Sequence, residues 1–353
     1  MIKKTILFFG ELPPKTIHGI SLSSQRILNC LSVDFNILTV EDNSCFGGFF
    51  NKIVGFIIAF FHVLFFLHKK VDIFYLNAPM SKLGLLKALL LIRMVTFLKP
   101  KVKIISHLHR GDFVSFIEVP SNKMLFERFS NIIDLIFVLS KKSAKELEIS
   151  NLIDNRKIKI LHNSIEILSL NRSFNKNNNA FRSDYYCLCN YLESKGIHNL
   201  VYVANKLLVK VDFNGTVSDI HYMTQLDEDN ISDVCSFNSV ISGIEKEEKI
   251  KNSKALILPS LNEGMPLVLL ESLAQGTPVI CYDVGFISDY LGSDYPGLIT
   301  AYTNEALLDK IKWMDSLTSD EYLNLRYQSY NLFWNNFSSD KINELALQIF
   351  NKI

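Results

Sequence analysis

Short apolar runs rich in β-branched residues alternate with longer helical patterns along the whole chain. Such runs are typical of strands that are buried on both faces, and strands that alternate with helices form parallel sheets flanked by helices. The predicted strands cover residues 5–9, 35–40, 72–76, 102–108, 135–140, 158–162, 185–191, 209–215, 239–242, 254–260 and 278–283. The pattern therefore predicts an α/β fold with doubly wound parallel sheets.

The length of 353 residues indicates two domains, because single cores stop growing at roughly 250–300 residues. A polar, Asn-rich stretch at residues 169–184 has no apolar periodicity and is the predicted linker. We expect an N-terminal domain of residues 1–167, joined by a closing helix at 338–353, and a C-terminal domain of residues 168–337. Ligands are expected in the cleft between the domains, at the carboxyl ends of the strands.

The charge balance argues against a nucleic-acid-binding protein. Lys and Arg number 37 against 36 Asp and Glu, whereas a dedicated nucleic-acid binder carries a basic excess. The six cysteines form no C-x-x-C pair, so we expect reduced thiols in a cytoplasmic protein. The apolar run at residues 6–9 is too short for a signal peptide and is interpreted as a buried first strand.

The stretch LPSLNEGMPLVLLESLAQGTPVI, residues 258–280, runs from a strand end through a loop into a helix. Two carboxylates, Glu263 in the loop and Glu271 in the helix, have seven residues between them. Pro266 is predicted in the first turn of the helix, where its missing N–H costs nothing. Gly276 is predicted just beyond the helix end, at the position that favours glycine.

The start of this helix has the properties of a binding site for a phosphate or a sugar hydroxyl. Backbone N–H groups near Gly264, Met265 and Leu267 would lack helical partners and would carry the positive end of the helix dipole. Glu263 lies beside that end and can accept hydrogen bonds from hydroxyl groups. Glu271 lies more than a turn deeper, where it can reach a second hydroxyl group such as that of a ribose.

Residues 255–283 resemble the E-x7-E signature of the retaining glycosyltransferases of family 4, which have the GT-B fold. Further segments resemble other parts of that family in the expected order, namely residues 108–113, 138–147, 160–166, 190–200 and 331–342. The resemblance implies two doubly wound domains, a cleft and a C-terminal crossover helix. It also implies a hexosyltransferase that moves a sugar from a nucleotide diphosphate sugar to an acceptor hydroxyl, with retention and without a cofactor.

In the C-terminal domain the resemblance implies a set of donor contacts. Lys195, before Gly196, would meet the diphosphate, and Gly243 would lie in the loop that holds the base. The family usually carries Gly-Arg where this chain has Cys189 and Asn190, so one guanidinium is lost and Asn190 offers a single hydrogen bond instead. The helix start supplies further donor contacts from Gly264, Met265, Pro266 and Leu267.

Two further positions are implied in the N-terminal domain. His109 would lie near the transferred sugar, while His107 is the competing candidate on the same strand face and is expected to be more buried. Gly19 opens a helix pattern like the family's glycine loop, although His18 replaces a second glycine. Glu263 would position the sugar rather than act as a general base. The acidic run at residues 227–229 is interpreted as a solvated turn, and no metal site is predicted.

The acceptors of such enzymes are often lipid-linked saccharides used in cell-surface polysaccharide synthesis. The apolar segment at residues 53–67, flanked by Lys52, Lys69 and Lys70, is too short to span a membrane. It is either core or a helix that lies on an anionic membrane surface at the inner face of the cell membrane. Two alternative functions stay open: a nucleotide-sugar epimerase of the same fold, and a non-catalytic sugar-binding protein.

Overall fold

The computed structural model describes residues 3–42, 49–168, 174 and 184–353. The chain forms two compact units, Met1–Asn163 with Ser339–Ile353, and Ser164–Ser338. The boundary predicted from the sequence, after residue 167, lies a few residues further along the chain than Asn163. The predicted linker at 169–184 lies outside the described residues except for Phe174 and Asp184.

The first unit consists of six strands and seven α-helices within its described residues. They are β1 (Thr5–Gly10), α1 (Gly19–Leu31), β2 (Asn36–Glu41), α2 (Phe49–Phe66), β3 (Ile73–Asn77), α3 (Lys82–Leu98), β4 (Lys103–Leu108), α4 (Phe113–Glu118), α5 (Pro120–Ile132), β5 (Leu135–Val138), α6 (Lys141–Ser150), β6 (Ile158–Ile160) and the last helix of the chain (Ser339–Asn351). The strands form one parallel sheet in the order β2-β1-β3-β4-β5-β6.

Alternate strand residues of the first sheet enter two separate apolar layers. Leu7 and Phe74 lie in the layer covered by α2, α3 and α5, whereas Ile6 and Tyr75 lie in the layer covered by α1 and the last helix. Phe350 of the last helix is fully buried there, and its ring stacks on that of another buried phenylalanine at a centroid distance of 5.5 Å. This burial attaches the last helix to the first unit.

The second unit repeats the alternation of strands and helices. Its elements are β7 (Tyr185–Leu188), α7 (Ile197–Leu207), β8 (Val211–Asn214), α8 (Ile220–Asp229), β9 (Cys235–Asn238), α9 (Gly243–Asn252), β10 (Leu256–Leu258), α10 (Leu267–Ala274), β11 (Val279–Tyr282), α11 (Ile287–Leu291), β12 (Leu298–Ile299), α12 (Asn304–Ser316) and α13 (Ser319–Asn336), so the last helix, Ser339–Asn351, is α14. The parallel strand order is β12-β11-β10-β7-β8-β9.

The structure confirms the predicted doubly wound parallel sheets and corrects three details. The strand predicted at 239–242 is wrong, because β9 ends at Asn238. The Asn230 side chain bonds the N–H and C=O of Cys235 at 3.1 and 2.9 Å and so holds the start of β9. The strand β12 has only two residues, too few to give a pattern. The acidic run at 227–229 ends α8 rather than forming a turn, and it is exposed.

Candidate functional site

The predicted donor contacts of the second unit lie at the carboxyl ends of its strands. Lys195 lies in a short 3-10 helix, Glu193–Lys195, between β7 and α7. Glu263 lies in the loop between β10 and α10, and Gly243 is the first residue of α9. Because β10 is the neighbour of β7 in the sheet, the loops that carry Lys195 and Glu263 emerge side by side.

Lys195 and Glu263 form an ion pair in which Nζ lies 2.6 Å from Oε1. The Lys195 side chain is 26% exposed and that of Glu263 is 11% exposed, so the pair is largely withdrawn from water. Removing water strengthens an ion pair and orients both groups. The two residues that the sequence assigned to separate parts of the donor are therefore partners in one ion pair.

Two glycines permit the close backbone approaches that hold this pair in place. Gly196 has a φ of +65°, and a Cβ there would lie 2.2 Å from the carbonyl oxygen of Pro259. Gly285, just after β11, has a φ of +57°, and its Cβ would lie 1.7 Å from the carbonyl oxygen of Glu263. Only glycine fits such positions. Gly285 was not predicted as a site residue, although a glycine soon after a strand is a usable signal.

The helix α10 begins at Leu267, directly after the proline that was predicted in its first turn. Pro266 is its N-cap residue, with extended backbone angles, and not part of the first turn. No side chain caps this end, so the first N–H groups of α10, beginning with that of Leu267, are left to other partners. The side chain of Met265 is buried. Gly276 follows the C-cap residue with a φ of +63°, which confirms the predicted helix end.

Glu271 forms a second ion pair that the sequence did not predict. Its Oε1 lies 2.7 Å from Nζ of Lys246 on α9, and both side chains are mostly buried. Lys246 stands in a run of alternating charges, IEKEEK, in which no single lysine is distinguished. Each glutamate of the E-x7-E pattern therefore has its own lysine, one from the connection between β7 and α7 and the other from α9.

Asn190 follows β7 and its side chain is exposed. The backbone of the preceding residue, Cys189, lies very close to that of Gly215, since a Cβ on Gly215 would lie 2.0 Å from the carbonyl oxygen of Cys189. Its Sγ lies 3.7 Å from that of Cys187. A hydrogen bond with Cys189 and burial together raise the pKa of the Cys187 thiol, so the Cys187 sulfur is a neutral packing group rather than a nucleophile.

His109 lies just beyond β4 in the first unit and is buried. Burial, with a smaller electrostatic contribution from His18, lowers the pKa of His109 to about 3. Neither ring nitrogen has a hydrogen-bond partner among the described residues. The ring lies 4.0 Å from that of His107, measured between centroids. His107 is fully buried, as expected, and its Nδ1 lies 3.0 Å from the hydroxyl of Tyr75.

A cavity of about 450 Å³, the strand-end cavity, lies at the carboxyl ends of β1 to β4 and is lined by His109. Its charged lining residues are Glu11, Asp42, Lys52, Lys87 and Arg110. Gly19 begins α1 near this cavity, immediately before the lining residue Ile20, and a Cβ at Gly19 would meet nothing within 4 Å. The open space in front of Gly19 is compatible with the ligand contact predicted for it.

An apolar surface covers α2 and α3, and it is called the α2–α3 face below. Its exposed members are Phe50, Ile53, Val54, Ile57, Ile58, Phe61, Leu64, Phe65, Leu83, Leu86, Leu90, Phe97 and Leu98. Within the predicted segment, Phe61 and Phe65 are 59% and 64% exposed, whereas Phe56, Phe60 and Phe66 pack against the core. The segment is therefore partly core and partly surface. Among the described residues no helix is long and apolar enough to cross a membrane.

The structure thus groups the predicted site residues by unit. Lys195, Glu263 and the start of α10 come together in the second unit, whereas His109 and Gly19 lie in the first. The predicted cleft between the domains stays a prediction. Within the described part of the chain, no group of three or more His, Cys, Asp or Glu side chains is arranged to hold a metal ion. That the protein uses no metal stays a prediction.

The model of a protein family described as Glycosyl transferases group 1 matches residues 172–331, most of the second unit. TuaC of Bacillus subtilis, named as a teichuronic acid biosynthesis glycosyltransferase, is 37% identical over 79 residues, 20% of each chain. A protein of Methanocaldococcus jannaschii named as an uncharacterized glycosyltransferase is 25% identical over 166 residues, 42% of this chain and 41% of that protein. The matches therefore span less than half the length of either relative.

Solved structures resemble the whole chain. HepE of Anabaena, in complex with UDP and glucose, has a TM-score of 0.75 at 13% identity and covers 99% of this chain and 100% of its own. A sucrose-phosphate synthase from Thermosynechococcus elongatus has a TM-score of 0.78 at 13% identity, with 99% of both chains covered. At such low identity these likenesses concern the fold alone, and they confirm the predicted GT-B fold.

Proposed function

We propose that this chain, which has the GT-B fold and whose second unit matches the glycosyltransferase group 1 family, is a retaining hexosyltransferase of the family 4 type. It would take a sugar from a nucleotide diphosphate sugar and transfer it to an acceptor hydroxyl. The observation that carries the proposal is the Lys195–Glu263 ion pair beside the uncapped start of α10. This arrangement offers an ammonium, free N–H groups and a carboxylate to one ligand, which suits a diphosphate bonded to a sugar.

The donor would be held along the strand ends of the second unit. Lys195, Asn190 and the N–H groups at the start of α10 would stabilise the leaving diphosphate. Oriented donors of this kind are worth roughly 3–4 kcal/mol of barrier each. Glu263 would hold the sugar hydroxyls, and Glu271, oriented by Lys246, would bind the ribose. The backbone around Gly243 would contact the base.

The chemistry would proceed on one face of the sugar, without a covalent intermediate and without a metal or other cofactor. The proposed placement of His109 is near the transferred sugar, where a neutral imidazole could donate or accept a hydrogen bond. The pKa of about 3 supports the neutral form at physiological pH. Gly19 would allow the backbone at the start of α1 to approach the ligand closely.

The acceptor would be a saccharide, linked to a lipid, in cell-surface polysaccharide synthesis, and the protein would be cytoplasmic and peripheral at the inner face of the membrane. The name of TuaC and the α2–α3 face support this assignment. Lysines flank that face, and each basic residue near an anionic surface contributes about 1 kcal/mol of binding at low salt. We expect the protein to sediment with anionic but not neutral vesicles at low salt. Recovery in the supernatant under both conditions would exclude the membrane contact.

A thermal-shift screen of nucleotide diphosphate sugars tests the donor assignment. A donor present at 100 times its dissociation constant stabilises the folded protein by about 2.7 kcal/mol. Lys195→Met should abolish this stabilisation, whereas Lys206→Met, which removes an exposed lysine elsewhere in the same unit, should preserve it. If no nucleotide diphosphate sugar stabilises the protein, or if both variants behave alike, the proposal fails.

The donor found by this screen then tests the reaction. Incubation without acceptor should give no product or slow hydrolysis, whereas an epimerase would form a new sugar nucleotide. With acceptor, NMR of the product should show the anomeric configuration of the donor. An inverted product would contradict the assignment to a retaining enzyme.

A further inference from the structure

The strand-end cavity has charged groups that point to a ligand with a negative charge. Lys52 on α2 and Lys87 on α3 both line it and are both partly buried. Within the described residues neither ammonium forms an ion pair with a carboxylate, and the only partner of Lys87 is the ring of Phe56, 5.3 Å away. An anion bound in the cavity would supply the counter-ion that both ammonium groups lack within the described residues.

The other charged lining residues do not neutralise these lysines. The carboxylate of Glu11 pairs with Nε2 of His18, and the guanidinium of Arg110 pairs with Asp112 at 2.9 Å. Asp42 also lines the cavity. The N-terminal end of α3, with Ser81 as its N-cap, also lines the cavity and contributes the positive end of its dipole.

A second, independent observation marks the cavity as a ligand site. His109 lines the cavity and only 7% of its surface is exposed. Neither of its ring nitrogens has a hydrogen-bond partner among the described residues. A buried polar side chain without a protein partner is rare in native proteins and is satisfied by a ligand, an ion or a water molecule. His109 therefore offers the cavity a hydrogen bond that no part of the described protein uses.

The α2–α3 face begins at the same helix ends that line the cavity. Phe50 and Ile53 flank Lys52 on α2, and Leu83 and Leu86 precede Lys87 on α3. A ligand whose charged group lies between the two lysines would have an apolar surface directly beside it. That combination, an anionic head next to a hydrocarbon chain, is the chemistry of a lipid phosphate.

We propose that the strand-end cavity binds the phosphate group of a lipid-phosphate-linked acceptor through Lys52 and Lys87, and that the hydrocarbon chain lies on the α2–α3 face. The inference rests on the proposed transferase function and specifies the acceptor of that reaction. The hydroxyl to be glycosylated would belong to the saccharide beyond the phosphate. His109 would bind this polar part of the acceptor.

Calorimetric titration of the full chain with three probes tests the proposal. Monomeric dodecyl phosphate has both the anion and the chain, dodecyl maltoside has the chain with an uncharged sugar head group, and inorganic phosphate has only the anion. We expect dodecyl phosphate to bind at least tenfold more tightly than either other probe. The variant with Lys52→Gln and Lys87→Gln should bind it no better than dodecyl maltoside.

Matched variants separate a defined site from general attraction. Lys69→Gln with Lys99→Gln removes two lysines just beyond the opposite ends of the same helices, and it should leave the affinity for dodecyl phosphate unchanged. Phe61→Ser with Phe65→Ser should weaken the binding of both dodecyl probes. Equal binding of dodecyl phosphate and dodecyl maltoside, or equal losses in the two lysine variants, would overturn the proposal.

The donor screen makes the two failures distinguishable. If nucleotide diphosphate sugars bind but dodecyl phosphate is not preferred, the transferase function stands and the acceptor assignment is wrong. If dodecyl phosphate binds as expected but no nucleotide diphosphate sugar does, the cavity is a lipid-phosphate site in a protein that is not a transferase.

Discussion

Replacing Gly285 by Ala tests whether the turn after β11 holds the proposed catalytic loop in place. The backbone φ of +57° costs a non-glycine residue roughly 1–2 kcal/mol. The added Cβ would also lie 1.7 Å from the carbonyl oxygen of Glu263, about half the distance that such a contact allows. Either the turn or the Glu263 loop must therefore shift, and forced repacking of this kind costs a further 1–3 kcal/mol or so.

Gly243→Ala is the matched control for stability. Gly243 has a similar φ of +64°, but a Cβ there would meet nothing within 4 Å. Its substitution should lower the melting temperature by about 2–4 °C, as expected for a loss of about 1 kcal/mol in a unit of this size. Gly285→Ala should lower it at least twice as far, measured by calorimetry on the full chain.

The displacement of Glu263 also has a functional readout. Well below its melting temperature, Gly285→Ala should bind a nucleoside diphosphate at least tenfold more weakly than the native chain, because the Lys195–Glu263 pair and the start of α10 move with the loop. An unchanged affinity, together with a melting temperature equal to that of Gly243→Ala, would show that the turn after β11 does not position the site.

Three further predictions concern named side chains. The unfolded chain takes up a proton on His109 as the pH falls below the ordinary pKa of 6.5, whereas the folded chain does so only near pH 3. The free energy of unfolding should therefore fall by about 2 kcal/mol from pH 7 to pH 5 through His109 alone. In urea titrations, His109→Gln should reduce this dependence of stability on pH. Asn190→Arg should tighten nucleoside diphosphate binding by about 1–2 kcal/mol in calorimetry, because its exposed position leaves room for a guanidinium; weaker binding would mean that the carboxamide itself is required. Glu271→Ala and Lys246→Met should each raise the donor KM more than they lower kcat, and the double variant should be no worse than Glu271→Ala; additive losses would contradict a shared role.

The local features of the chain were determined by the sequence alone. The alternation of buried strands with helices predicted both parallel sheets, because strand burial and helix periodicity are properties of neighbouring residues. The helix that carries Glu271 and its end before Gly276 followed from the same short-range rules. The prediction placed a strand at 239–242, a few residues beyond the observed β9. The reason is that the hydrogen bonds of Asn230, and not an apolar pattern, hold β9 in place.

The partners of the site residues were decided only by the tertiary structure. Lys195 meets Glu263 because β10 lies beside β7, and strand order is not encoded in any local pattern. Lys246 could not be distinguished from its neighbours until α9 and α10 were packed together. Likewise, the apolar pattern of α2 could not tell which phenylalanines face the core and which face solvent. Each of these contacts joins segments that are distant in the chain, and a single sequence does not show which distant segments meet.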